Sequence, residues 1–116
     1  MIQIQVRNIF EGMHCYPDAP EEVSFLRAMH RHQFVVYTTI EVFDDDRELE
    51  FILVKREIQN YVLTSFGRDG IIDLQTRSCE WLAKEICSFI HQKYGYTRAV
   101  SVGVFEDDEN GAIVTE

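Results

Sequence analysis

Residues 2–9 read IQIQVRNI, a stretch in which apolar and polar side chains alternate over eight positions. Successive side chains of a strand point to opposite faces of a sheet, so this alternation predicts a strand with one buried face. Residues 34–43, FVVYTTIEVF, are rich in β-branched and aromatic side chains and predict a second strand. Between the two strands, residues 20–29 (PEEVSFLRAM) are expected to form a short helix after Pro20.

Two helices are predicted in the middle of the chain. In residues 49–63, LEFILVKREIQNYVL, apolar side chains recur near the 3.6-residue period of a helix at Phe51, Val54, Ile58, Tyr61 and Val62. A glycine-containing loop, residues 65–76, leads to residues 78–95, SCEWLAKEICSFIHQKYG. Here the apolar stripe consists of Leu82, Ile86, Phe89 and Ile90, with Ser78 as the expected N-cap and Gly95 as the expected stop.

The end of the chain predicts a hairpin of two strands, AVSVGVF (99–105) and AIVT (112–115), joined by an acidic Asn-Gly turn. The order strand, strand, helix, helix, strand, strand predicts an α+β fold in which an antiparallel sheet carries both helices on one face. Four strands leave two open edges, and pairing with further copies would cover them. We therefore expect a ring-shaped homo-oligomer.

Size and composition restrict the class of protein. A chain of 116 residues with 46% apolar content suits a single domain over residues 1–116. No stretch approaches the roughly 20 apolar residues that span a bilayer, and the first ten residues lack the layout of a signal peptide, so we expect a cytoplasmic protein. Its three cysteines are an odd number without a CxxC spacing, so we expect free, reduced thiols. Cys87 is expected to lie in the core. The net charge of −9 disfavours nucleic acid and anionic membranes as partners.

The acidic residues are concentrated in two short runs, 44–46 and 107–109. Each run lies between apolar segments and is expected to be a solvated loop tip. Neither has the spaced carboxylates and central glycine of a calcium loop.

Three histidines suggest a metal site. His30 and His32 are two residues apart, so in a strand their imidazoles would lie on the same face. His14 follows the first strand, where an antiparallel neighbour would bring it opposite the pair. Three imidazoles with one open position are typical of catalytic zinc, although cobalt or iron suits the same set. His91 is expected to be an ordinary surface or hydrogen-bonded residue.

Five segments together resemble the family of 6-pyruvoyl-tetrahydropterin and 6-carboxy-tetrahydropterin synthases. FEGMH (10–14) and HRHQF (30–34) resemble its Phe-x-x-x-His and His-Gly-His-Asn-Tyr motifs. EFILVK (50–55) and SCEWLA (78–83) are similar to Asp-Phe-x-x-Leu-Lys and Thr-Ser-Glu-Asn-Leu-Ala at the starts of its two helices. VFE (104–106) resembles its Val-x-Glu strand ending.

The resemblance implies the tunnelling fold, a ββααββ unit whose sheets join around a pore in a trimer, with two trimers stacked as a hexamer. It implies zinc on His14, His30 and His32, and a pterin or purine-like ligand held by Glu106 and by Ser78, Cys79 and Glu80. The implied activity is that of a zinc-dependent carbon-oxygen lyase acting on dihydroneopterin triphosphate or a related pterin, in tetrahydropterin or deazapurine synthesis.

The chain departs from the family at the catalytic base. The family's enzymes carry a cysteine shortly before the His-x-His pair, but residues 23–29 contain none, and the family's Asp-His pair is matched only by Asp69-Gly70. Ser24, Asp69 and Cys79 are the remaining candidates, and the start of the second helix is expected to lower the pKa of Cys79. Cys15 is expected to face away from the metal. The alternatives are a non-catalytic protein that binds a pterin or purine, and a structural oligomer stiffened by its metal.

Overall fold

Six strands and three helices follow one another along the chain, which the computed structural model describes from residue 1 to residue 116. In chain order they are β1 (Ile2–His14), a 3₁₀ helix (Glu21–Leu26), β2 (His30–Val42), α1 (Phe51–Phe66), β3 (Gly67–Arg68), β4 (Ile71–Asp73), α2 (Cys79–Tyr94), β5 (Val100–Glu106) and β6 (Asn110–Thr115). The α+β class is therefore confirmed. None of the helices combines the length and apolar character needed to cross a bilayer.

All six strands belong to one sheet, in the order β3-β4-β1-β2-β5-β6. Neighbouring strands are antiparallel except β1 and β4, which are parallel. The four predicted strands, β1, β2, β5 and β6, are present and pair in an antiparallel manner, but the predicted strand number is wrong, because β3 and β4 extend the sheet and the pairing of β4 with β1 makes it mixed. The additional strands lie in the predicted loop 65–76 and have two and three residues, too few to produce a periodic signal.

Both long helices pack against the same face of the sheet. The residues that face them in the strands are even-numbered, and those that join the apolar core include Val6, Phe10, Phe34, Val36, Ile40, Val100, Val102 and Val104. Between the helices, the rings of Tyr61 and Phe89 are stacked with their centroids 4.2 Å apart. One continuous core results, and the even-numbered positions beyond its end are free to carry functional side chains.

The helix boundaries agree closely with the sequence predictions. In α1 the stripe positions Val54, Ile58 and Val62 are buried, whereas Phe51 at the first turn is half exposed and lies outside the core. Ser78 caps α2 as predicted, because its Oγ accepts the backbone N–H of Trp81 at 3.2 Å. Gly95 follows the last residue of α2 with a φ of +116°, a conformation that favours glycine.

The strands extend beyond their predicted limits toward the histidines. β1 continues to His14 and β2 begins at His30, so the two form an unbroken ladder of thirteen residues each. The predicted terminal hairpin is present, but its turn is at Asp107 and Asp108, both with positive φ. Asn110 and Gly111 are the first residues of β6 and not the turn itself.

Candidate metal centre

Strand register brings four potential metal ligands to one end of the sheet. His14 is paired with His30 in the ladder between β1 and β2. Glu106, the last residue of β5, is paired with Phe34. His14, His30, His32 and Glu106 all have even numbers, and they continue the helix-facing rows of the core beyond Phe34.

The four side chains converge on one small volume. One potential ligand atom from each residue lies within 4.8 Å of all the others. Glu106 Oε2 lies 2.8 Å from His14 Nε2 and 3.1 Å from His32 Nε2. The centroid of the His30 ring is 4.7 Å from that of His14 and 4.9 Å from that of His32. The predicted grouping of three histidines is therefore present in the fold, with Glu106 as a fourth member.

Each imidazole is oriented by a contact at its other nitrogen. His14 Nδ1 lies 3.0 Å from the carbonyl oxygen of Arg77, and His30 Nδ1 lies 2.9 Å from that of Ala28. His32 Nδ1 lies 2.7 Å from Asp107 Oδ2. Each of these partners accepts a hydrogen bond, so the proton belongs on Nδ1 and the lone pair is on Nε2. Metal-binding histidines are oriented in the same way.

Asp107 orients His32 because its two carboxylate oxygens contact the His32 ring and the neighbouring backbone. Its Oδ1 accepts the backbone N–H of Gln33 at 2.9 Å while its Oδ2 contacts the His32 ring. The pKa of Asp107 is lowered, first by a backbone hydrogen bond from Gln33 and then by the hydrogen bond to His32. This residue therefore stays a carboxylate beside the ring at neutral pH.

Two of the converging nitrogens have no hydrogen-bond partner. His30 Nε2 and His32 Nε2 are buried and unpaired. The His32 contact with Glu106 is short in distance, but two lone pairs facing each other do not form a hydrogen bond. Buried polar atoms are usually paired, and lone pairs directed at a carboxylate repel it unless a cation lies between them. Three imidazole nitrogens fit a zinc-type divalent ion, and the adjacent carboxylate adds a negative charge that favours a cation.

A cavity of about 480 Å³ adjoins the four converging residues. His14, His30 and Glu106 line it, together with all three of the predicted ligand-binding residues at the start of α2, Ser78, Cys79 and Glu80. Tyr16 and Leu26 add apolar surface. The structure thus brings the predicted metal ligands and the predicted ligand-binding residues to one place.

The three candidate catalytic residues are poorly suited to act as a base in this cavity. Neither Ser24 nor Asp69 lines the cavity. Cys79 does, but burial, followed by the charges of Glu106 and Glu80, raises the pKa of its thiol to about 12. The expected lowering at the helix N-terminus is therefore wrong in direction. Cys15 also lines the cavity, because the chain leaves the β1 ladder after His14, but it is not one of the residues whose ligand atoms converge.

Two contributors to the site were outside the sequence prediction. Glu106 was expected to bind a ligand, but its position next to the three histidines was not predicted. Asp107 was expected only to lie in a solvated turn. Their positions depend on the register between β2 and β5, which is not visible in a single strand. The family resemblance nevertheless placed Glu106 at a strand ending, and the hairpin signal placed Asp107 in the turn that follows.

Comparison with known proteins adds no further information, since no protein-family model matches the chain and no curated protein does.

Proposed function

We propose that this protein binds a zinc-type divalent ion through His14, His30 and His32, holds a pterin in the adjoining cavity with Glu106, and acts on that pterin as a zinc-dependent pterin synthase-like enzyme. The observation that carries the proposal is the convergence of three oriented imidazoles beside a cavity lined by the start of α2. The sequence resemblance to the pterin synthases supports the choice of ligand.

The chain's own residues supply the binding chemistry. Bound at this place, a zinc ion would polarise an oxygen of the ligand. Glu80 and Glu106 are carboxylates at the cavity wall and suit the N–H groups of an amino-pyrimidine, where a charge-assisted hydrogen bond contributes about 1.5–3 kcal/mol. Arg77, Ala28 and Asp107 hold the three imidazoles in place.

The test of this activity is turnover of dihydroneopterin triphosphate by zinc-loaded protein, followed by chromatography of the product. We expect conversion that is lost on chelation and in His32→Ala, and retained in the matched variant Arg31→Ala, whose side chain lies on the opposite, exposed face of β2. A zinc-loaded, folded protein that left the substrate unchanged over hours would contradict catalysis of this reaction.

A second function, binding of a pterin or purine without conversion, is favoured by the lack of a cysteine that could act as the catalytic base. Residues 23–29 contain no cysteine, and the raised pKa of Cys79 leaves a neutral thiol that is a poor base. In this case, calorimetry would detect ligand binding that is lost in Glu106→Gln, and chromatography would detect no product. Absence of binding to any pterin or purine would count against both functions.

We also propose a homo-oligomer, a trimer or hexamer, as the working form. The sheet ends in the edge strands β3 and β6, and β6 offers six residues for pairing with another copy. Arg77 is the one arginine that lines the cavity, and its Cζ lies 4.2 Å from the centroid of the Trp81 ring. Because a triphosphate carries several negative charges, its binding would require further cations from a neighbouring copy. Native mass spectrometry would test the assembly, and a purely monomeric species would contradict it.

A further inference from the structure

A second group of metal-ligating side chains lies at the other end of β5. Ligand atoms of Cys87, His91 and Glu116 lie within 4.8 Å of one another. Cys87 Sγ is 4.0 Å from the carbonyl oxygen of Val100, the first residue of β5, whereas Glu106 is its last. Six strand residues span roughly 20 Å, so this group is separate from the histidine centre.

Two elements hold the three side chains together. Cys87 and His91 are four residues apart on α2, the spacing that puts two side chains on the same helix face. His91 was expected to be an ordinary surface or hydrogen-bonded residue, although Cys87 lies one helical turn before it. Glu116 follows β6 and exchanges two backbone hydrogen bonds with Val100, of 2.8 and 2.9 Å. The backbone of the sheet therefore fixes the third residue beside the helix.

His91 is buried and oriented as metal-binding histidines are. Its exposed fraction is only 6%, and its ring is stacked on Tyr96 with the centroids 5.8 Å apart. Its Nε2 lies 3.0 Å from the carbonyl oxygen of Arg98. A carbonyl only accepts, so Nε2 carries the proton and Nδ1 has the free lone pair. A contact of this kind fixes the tautomer of a ligating imidazole.

The local charges favour a cation. His91 lies in the last turn of α2, where the helix dipole is negative. Glu116 is exposed and forms no salt bridge in the structure. Arg98, the nearby positive charge, is paired with Glu48 at 2.7 Å and donates to the backbone oxygens of Glu41 and Tyr94. Its charge is therefore already compensated.

We propose that Cys87, His91 and Glu116 form a second metal site, which takes a zinc-class divalent ion with one coordination position left for water. Thiolate and imidazole ligands select zinc over magnesium or calcium. Burial raises the pKa of Cys87 to about 11, so the thiol is neutral without an ion and gives its proton to solvent when the ion binds. The ion would link α2 to the residue that follows the edge strand β6, which makes the site a structural clamp.

Cobalt(II) is a suitable probe because a bound thiolate adds a near-ultraviolet charge-transfer absorption that imidazole and carboxylate ligands do not produce. We expect the intact protein to bind two cobalt ions per chain and to show this band. In Cys87→Ala the stoichiometry should fall to one and the band should disappear. In the His14→Ala/His32→Ala double variant the band should remain, so this test is independent of the proposed pterin chemistry.

Two further variants keep the test decisive. Cys15→Ser should retain the band. The assignment to Cys87 would be overturned if the band were lost in Cys15→Ser but retained in Cys87→Ala. It would also be overturned if the wild-type protein showed no band. If Cys87→Ala does not fold, Glu116→Gln changes an exposed side chain and should weaken binding of the second cobalt by about 10-fold or more. Unchanged cobalt affinity in Glu116→Gln would also overturn the three-ligand site.

Discussion

His14 is paired directly with His30 in the antiparallel ladder between β1 and β2, and the centroids of the two imidazole rings lie 4.7 Å apart. A slip of one residue in this register would turn every side chain of β1 to the other face and remove His14 from the site. Core packing of β1 therefore controls the metal centre.

Gly12 is a buried position two residues before His14 on the same face of β1, and we expect Gly12→Ala to destabilise the protein by about 1–3 kcal/mol, the usual cost of overpacking. An added Cβ would lie 2.5 Å from Ile72 Cγ1 and 2.9 Å from Phe34 Cδ2, so one of these two buried side chains must move. Urea unfolding of metal-free protein measures the change. Gln3→Ala, on the exposed face of β1, is the control and should change the free energy of unfolding by less than about 0.5 kcal/mol. Equal stability of the two variants would show that the site tolerates the added methyl group.

Asp107→Asn is expected to lower zinc affinity by about 10- to 100-fold. The carboxylate accepts from the Gln33 N–H with one oxygen and from the His32 ring with the other, whereas an amide has only one acceptor oxygen. Competition with a chromophoric chelator at constant pH measures the affinity. Asp108→Asn is the matched control, because Asp108 contacts Tyr37 and Arg7 and no histidine. The same affinity in both variants would exclude an orienting role for Asp107.

Among the three cysteines, Cys15 should be the first to react with iodoacetamide in the native protein. It is partly exposed, whereas burial raises the pKa of Cys79 to about 12 and that of Cys87 to about 11. The thiolate is the reactive form, so both buried residues should be protected. Peptide mapping by mass spectrometry gives the order, with urea-denatured protein as the control in which all three react. Early labelling of Cys79 would contradict its buried, neutral state.

The stabilising effect of Glu48 should depend on pH. Its pKa is lowered, first by a backbone hydrogen bond from Phe43 and then by the hydrogen bond from Arg98. Because the folded-state pKa is lowered, the unfolded chain binds the proton more readily than the folded one. The stabilisation by Glu48 is therefore present above the ordinary carboxyl pKa range near pH 4, and it is lost as the pH falls below that range. Glu48→Gln should therefore be less stable than wild type at pH 7, with a smaller difference at pH 3. Thermal unfolding at both values tests this, and a difference that grew at low pH would reverse the sign.

The sequence was sufficient where a signal is local and periodic. The alternation in β1, the stripe of α1 and the Ser78 cap predicted their elements, and the two-residue spacing of His30 and His32 predicted a shared face. β3 and β4 were not predictable, since such short strands form only because β1 offers an edge for them.

Other features depend on long-range contacts. The place of Glu106 among the histidines follows from the pairing of β5 with β2, and the raised pKa of Cys79 follows from tertiary burial that outweighs the local effect of the helix. The relation of Cys87 to His91 was accessible in the sequence. Glu116 joins them only through the ladder of β5 and β6.

The proposed metal centre is one ion between His14, His30 and His32, and anomalous diffraction at the zinc edge from crystals of the zinc-loaded protein tests it most directly. The expected result is a peak about 2.0–2.1 Å from Nε2 of each of the three rings. Crystals grown with excess zinc that gave no peak between these rings would contradict the metal centre.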